Sequence, residues 1–173
     1  RLSVNYTVVD TQIGPIVFEA RKEENPCSLC AKMRKGALNN KAEELGCNKV
    51  ALGHNKEDVI ETFAMSLLFE GRIHCFSPVS FLEHKKLYSI RPLIYVSEYE
   101  ARSFVKTLGT EIVKNPCPAN GNTKRQEMKN LIADLNKTYP NLSQNIFGAV
   151  CRGLEDWKTD SEVLTNAKDN LSR

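Results

Sequence analysis

Three sulfur atoms carry the strongest chemical signal in this sequence. Cys27-Ser28-Leu29-Cys30 is a C-x-x-C at the start of a helix, where the helix dipole and the charges of Lys32 and Arg34 favour a thiolate acting as ligand or nucleophile. Two thiolates at this spacing can share one metal ion. The competing readings are a pair of small core residues and a thioredoxin-like redox pair. The redox pair usually has an aromatic or Gly-Pro setting right after a first strand, which this stretch lacks. Cys117 sits between two prolines in Asn115-Pro116-Cys117-Pro118, a rigid, extended turn that fixes where its side chain points. With Cys27 and Cys30 it can form a three-cysteine site, and soft thiolates select zinc or an iron-sulfur cluster. A structural zinc ion normally gains a fourth protein ligand, whereas a cluster on three cysteines leaves one iron open to exogenous sulfur or substrate. Cys47, Cys75 and Cys151 lack such settings and are expected to pack in the core.

A second constellation is Leu52-Gly53-His54-Asn55-Lys56-Glu57-Asp58, where a strand ends and a helix begins, the crevice in which open α/β sheets bind nucleotides. Gly53 admits a ligand to the backbone, His54 and Asn55 can hydrogen-bond a nucleotide, the helix amides favour an anion, and Asp58 can hold magnesium. The alternative is local capping, with Asn55 as N-cap and Asp58 complementing the dipole. Arg91, in Arg91-Pro92-Leu93, stands at a strand end where it can clamp phosphate or ribose, or form an ordinary ion pair. Lys32, Arg34 and Lys35 on one helix, and Lys124 and Arg125 beside Lys129 on another, are candidates for an RNA backbone, against the commoner fate of a solvated face.

The elements that position these residues follow from periodicity. Ser3 to Val9 alternates as a strand. Gly14 to Pro26, with two prolines and the run Arg21-Lys22-Glu23-Glu24, reads as irregular. A helix is expected from about Ala31 to Leu45 on Cys30, Met33, Ala37, Leu38, Ala42 and Leu45, stopped by Gly46. Lys49 to Gly53 is a short strand, followed by a helix from about Lys56 to Phe69 whose stripe is Val59, Ile60, Phe63, Ala64, Leu67 and Leu68. Ser77 to Leu82 and Lys86 to Ile90 pair as a hairpin. Capping boxes at Ser97-Glu100 and Thr123-Gln126 open two helices. The first buries Ala101, Phe104, Val105 and Leu108. The second buries Met128, Leu131, Ile132 and Leu135, before Tyr139-Pro140. Thr110 to Val113 is expected as a strand between them. The next helix packs Leu142, Ile146, Phe147 and Val150. Beyond Gly153 only Leu154, Trp157, Val163 and Leu164 serve as anchors, so the expected organisation is one domain over 1–153 and a tail over 154–173.

Strands alternating with helices predict an α/β, Rossmann-like parallel sheet with flanking helices. At 173 residues, 41% hydrophobic and 26% charged, the chain has the profile of one soluble domain. No stretch approaches a membrane span and no signal layout opens the chain, so the expected address is cytoplasmic, with no membrane partner. Six cysteines in a reducing compartment argue for metal or redox use over disulfides. A net charge of +3 is too mild for a bulk electrostatic case for nucleic acid, so local clusters must carry it.

Taken in order, Cys-Ser-Leu-Cys before a basic helix, Leu-Gly-His-Asn-Lys-Glu-Asp-Val-Ile-Glu-Thr, Arg-Pro-Leu, Pro-Cys and Asn-Thr-Lys-Arg-Gln resemble the PP-loop ATPases that thiolate tRNA, most closely the tRNA 2-thiocytidine synthetase group, from about Ser3 to Val150. The resemblance implies a HUP-type fold in which ATP adenylates the C2 oxygen of a tRNA cytidine and sulfur then displaces AMP. It implies that Cys27, Cys30 and Cys117 hold a [4Fe-4S] cluster, with zinc as the alternative, and that Gly53, His54, Asn55, Asp58 and Arg91 line a site for ATP and Mg2+. The implied partners are tRNA and a sulfur donor such as a cysteine desulfurase, and a homodimer is compatible. The family's Ser-Gly-Gly-x-Asp-Ser phosphate loop occurs nowhere in the sequence. The expectation is therefore an inactive fragment whose parent carries roughly 60 to 80 more residues, two βα units, before Arg1. A noncatalytic zinc-bound RNA- or partner-binding module, or a PP-loop ATPase for another base or small molecule, are the alternatives.

Overall fold

A computed structural model describes residues 4–22, 25–110 and 112–158. The chain divides into two units, one drawn from Arg1–Val50 with Leu82–Leu87, the other from Ala51–Phe81 with Tyr88–Arg173.

In the first unit, a short helical turn α1 (Ile13–Pro15) runs into a π-helical turn (Ile16–Ala20) and is followed by α2 (Pro26–Glu44). Ile13 and Val17 are buried from the former, Asn39 and Ala42 from the latter. α2 begins earlier than Ala31, because Pro26 occupies its first turn, where a missing N–H costs nothing and the ring's fixed φ suits a helix. The C-x-x-C therefore lies inside the helix, with Cys27 in its first turn and Cys30 at the start of the next. Gly46, at φ +68°, lets the chain turn out of α2, with the Cys47 N–H closing onto the Ala42 carbonyl at 2.8 Å. Leu38 and Leu45, expected on the buried stripe, are exposed. Residues 4–9 form no strand, and Val4, Tyr6, Val8 and Val9 lie exposed. Alternation gives a segment two faces but supplies no hydrogen-bonding neighbour.

The strands β1 (Lys49–Ala51), β2 (Val79–Leu82) and β3 (Leu87–Ile90) form a small mixed sheet in the order β1-β3-β2. β2 and β3 are joined by a 3-10 turn (Glu83–Lys85) closed by Lys86 in the left-handed region, the hairpin expected from the sequence. The strand expected over Thr110 to Val113 is absent at the described positions 110, 112 and 113. Ile112 and Val113 are exposed, with no ladder partner to hold them extended.

The second unit holds the larger core. α3 (Lys56–Glu70), α5 (Lys124–Thr138) and α6 (Leu142–Gly153) pack around Val59, Ile60, Ala64, Met128, Ile132, Phe147 and Val150. Trp157 is buried among them, edge-on to Phe147 at 5.9 Å between ring centres, with Leu154 packed alongside. The α3 stripe is covered only as far as Met65, so Leu67 and Leu68 are exposed, contrary to expectation, and Gly71 ends the helix in the left-handed region. α4 (Glu98–Thr107) is amphipathic yet buries no residue, and Phe104 and Leu108 stand exposed. It is tied down at its first turn instead, where the Glu98 N–H donates to Glu57 at 2.7 Å and the Glu98 carboxylate meets Lys129 at 2.6 Å. On α5, Leu131 and Leu135 are also exposed: α3 and α6 cover only the line through Met128 and Ile132.

Candidate nucleotide and thiol site

The strongest local geometry lies at the start of α3. β1 is followed by Leu52, whose N–H donates to the Ile90 carbonyl at 2.9 Å, and then by Gly53-His54-Asn55 leading into the helix. Asn55 is the N-cap. Its Oδ1 accepts from the Asp58 N–H at 3.0 Å, and Asp58 Oδ2 accepts from the Asn55 N–H at 3.0 Å. The local capping geometry is therefore fully formed, and it fixes where His54 leaves the backbone. Gly53 has open space where a Cβ would stand. Asp58 Oδ1 also meets Arg125 at 3.3 Å, so each carboxylate oxygen carries one protein partner.

Arg125 reaches α3 from the first turn of α5. Its Nη1 also pairs with Glu61 Oε2 at 3.1 Å, and its Nη2 donates to the Thr62 hydroxyl at 3.0 Å. Glu61 is almost fully buried, and burial pushes its carboxyl up despite the opposing pull of Arg125. The guanidinium thus ties α5 to α3. Lys124, by contrast, is exposed and pairs with its helix neighbour Glu127 at 2.8 Å. Lys32, Arg34 and Lys35 are exposed on α2.

Arg91, immediately after β3, is buried. Its Nε donates to His54 Nδ1 at 3.3 Å, its Nη1 donates to the Ser77 carbonyl, and its charge lies 4.8 Å from the centre of the Phe76 ring. The imidazole lies 4.7 Å from the same ring. Burial first, and the Arg91 charge second, hold the His54 ring below its ordinary basicity. Periodicity gave no sign of Phe76, the flat surface shared by both groups.

Cys27 is exposed and Cys30 half-buried near the start of α2; Cys117, in the other unit, is half-buried. An i, i+3 pair shares a helix face. The Cys117 N–H donates to the Asn115 side chain at 3.1 Å, and its carbonyl accepts from Asn120 at 3.0 Å, so a compact turn presents it. All three are free thiols. As a donor set, three accessible thiols suit a soft metal or an iron-sulfur cluster. Among the described residues no group of three or more His, Cys, Asp or Glu side chains is assembled closely enough to hold a metal ion. Cys75 is buried, contacts the Val59 carbonyl and is pushed up to about 11 by burial. Cys151 is half-buried against the core, and Cys47 is exposed, contrary to the expectation that it packs.

A small mixed sheet flanked by helices, with a strand end opening onto a capped helix, is structurally similar to a tRNA thiolase of the PP-loop, Rossmann-like fold. No family model matches the chain. It is 33% identical over 170 residues to the tRNA-cytidine(32) 2-sulfurtransferase of Dichelobacter nodosus, covering 97% of the chain and 64% of that relative. It is 31% identical over 165 residues to the enzyme of the same name from Dechloromonas aromatica, covering 94% and 58%. The U34-tRNA thiolase NcsA from Methanococcus maripaludis, solved with its [4Fe-4S] cluster, superposes with a TM-score of 0.63 at 29% identity, covering 78% of this chain and 46% of that one. The chain is a homologue of the tRNA-cytidine(32) 2-sulfurtransferases along most of its length. It spans between 58% and 64% of these two relatives.

Proposed function

We propose that this chain is part of an ATP-dependent tRNA thiolase that acts on the C2 oxygen of a cytidine. The supporting observation is the 31–33% identity to tRNA-cytidine(32) 2-sulfurtransferases, which runs through both the thiol-bearing α2 and the α3 crevice. The chemistry has two balanced steps. The cytidine C2 oxygen attacks the α-phosphorus of ATP and pyrophosphate leaves. A sulfur nucleophile then attacks C2, and the C–O bond breaks to release AMP. A carbonyl oxygen leaves poorly until it is esterified to phosphate, which is why ATP is required. In this reading Gly53 leaves room for the nucleotide beside the backbone, the α3 amides oppose its negative charge, and His54 and Arg91 form one wall.

Cys27, Cys30 and Cys117 would hold the [4Fe-4S] cluster, which when bound supplies an iron not occupied by protein and open to sulfur. A cysteine desulfurase is the donor class we assign. Lys32, Arg34 and Lys35 face the RNA, because they are exposed and carry no ion pair among the described residues, whereas Arg125 is committed to Asp58 and Glu61. Reversing these three charges is expected to weaken tRNA binding and flatten its salt dependence by close to three counterions, while Lys124→Glu changes little.

The deciding experiment expresses the gene encoding this chain in a strain lacking its own cytidine thiolase and measures thiolated nucleosides in digested tRNA by mass spectrometry. Appearance of 2-thiocytidine is expected; a thiolated uridine, or no thiolated base from a soluble, ATP-binding product, overturns the reading. The isolated 173-residue chain, which contains no Ser-Gly-Gly-x-Asp-Ser sequence, is expected to release no pyrophosphate from ATP. Anaerobic purification is expected to give a brown protein that loses its iron in Cys27→Ser, Cys30→Ser and Cys117→Ser alike. A colourless protein with stoichiometric zinc would exclude the cluster.

A further inference from the structure

The Arg91–His54 pair fixes more than position. A guanidinium has only donors and keeps its charge throughout the physiological range, so a ring nitrogen that meets it must present a lone pair. Arg91 Nε meets His54 at Nδ1, 3.3 Å away. The Nδ1 atom is therefore bare, and the single proton of the neutral ring resides on Nε2. Adding a second proton at Nδ1 would set two N–H groups head to head and place a new positive charge against an existing one.

We infer that Arg91 is a positioning residue that locks His54 as the neutral Nε2–H tautomer, so that His54 offers a ligand one hydrogen-bond donor and does not carry protons. Three features hold the arrangement. Arg91 is itself immobilised by its bond to the Ser77 carbonyl and its stacking on Phe76. The imidazole packs on the same ring. The charged groups that face the imidazole are Arg91 after β3, Asp58 on α3 and Arg125 on α5; the two arginines oppose imidazolium and the single carboxylate favours it. Asp58 is also the group that Arg125 already neutralises, at 3.3 Å.

The donor suits an oxygen acceptor such as a phosphate oxygen or the cytidine carbonyl. That identity rests on the nucleotide site proposed above, whereas the tautomer does not. A neutral imidazole donor stabilises a developing oxyanion without proton transfer, and its strength stays constant across neutral pH.

The test uses the full chain labelled with 15N in its histidine rings, without ligand. The sequence has three histidines, and His54→Gln assigns the spectrum. Long-range proton–nitrogen correlation from pH 5 to 8 is expected to show His54 with a bare Nδ1, a protonated Nε2 and a midpoint below the ordinary value of about 6.5. Arg91→Met is expected to raise that midpoint and mix the two tautomers. A merely structural Arg91 would change stability and leave the tautomer alone. If the variant fails to fold, the wild-type spectrum decides by itself. A protonated Nδ1, or titration near the ordinary value in wild type, overturns the inference. ATP titration of the same sample tests the nucleotide reading separately, so the two failures are distinguishable.

Discussion

At the scale of single residues, environment separates side chains that the sequence writes alike. Cys75 and Cys27 have the same chemistry, yet Cys75 is buried beneath the Val59 carbonyl with its thiol pushed up to about 11, while Cys27 is exposed at a helix start. Iodoacetamide at pH 8, followed by peptide mass spectrometry, is expected to label Cys27 and Cys47 quickly and Cys75 only after denaturation. The same shift has a sign in stability. The buried thiol ionises later than the unfolded one, whose ordinary value is 9.0, so stability is lost as pH rises from there through about 11. Chemical denaturation across that window should show a steeper loss in the wild type than in Cys75→Ala. The burial of Cys75 was legible only as the default fate of a cysteine without a ligand setting. The exposure of Cys47 was not, because a residue three positions past the end of α2 has no periodicity to read.

Arg125 shows the limit of reading charge from a sequence. It stands beside Lys124 in the same capped helix start, and nothing in the local pattern tells the two apart. In the fold, Lys124 pairs with Glu127 on its own helix, while Arg125 spans to Asp58, Glu61 and Thr62 more than 60 residues away. Glu61 is the reason: it falls on the buried side of α3, where a carboxylate without a cation is costly. Arg125→Met should lower stability by about 1.5–3 kcal/mol, the range for hydrogen bonds to charged groups, reduced toward the lower end because the guanidinium is partly exposed. Adding Glu61→Gln to that variant should recover part of the loss in a denaturant titration, since it removes the stranded charge. Equal instability of the single and double variants would show that Arg125 does not serve Glu61.

At the scale of elements, local chemistry predicted starts and stops better than partners. The Ser97 box forms in both directions, with Ser97 accepting from the Glu100 N–H and Glu100 accepting from Ser97. The Thr123 box forms in one direction only: Thr123 Oγ1 accepts from Gln126 at 3.1 Å, but the Gln126 amide turns to Asn130 at 2.9 Å. Thr123→Ala should therefore cost about 1 kcal/mol, and Gln126→Ala much less, as measured by thermal unfolding. The hairpin was legible because two short β-rich runs flank a polar turn of the right length. The segments expected as strands over Ser3 to Val9 and Thr110 to Val113 find no neighbouring strand at their described positions, and pairing is a property of two segments.

At the scale of the molecule, the core of the second unit gathers α3, α5 and α6, and closes over a residue that composition alone made an anchor in a polar tail. Trp157 lies edge-on to both Phe147 and Tyr95 at 5.9 and 6.4 Å, and those two rings meet edge-on at 5.7 Å. The three rings stand mutually perpendicular, an arrangement that suits their quadrupoles, with Phe147 and Trp157 buried and Tyr95 exposed at the edge. Lys56, at the start of α3, lies 5.2 Å over the Phe147 face and bonds Gln144, so the cluster also braces the helix that carries Asn55 and Asp58. Trp157→Ala is expected to cost about 3–5 kcal/mol, a loss large enough to unfold a marginal domain. Trp157→Phe should cost far less, because the indole N–H has no hydrogen-bond partner among the described residues. Hydrogen exchange on the two variants locates the effect: protection should fall in α3, α5 and α6 of the alanine variant and persist in the phenylalanine variant. Undiminished protection in Trp157→Ala would mean that residues beyond Gly153 contribute nothing to the fold that positions the crevice.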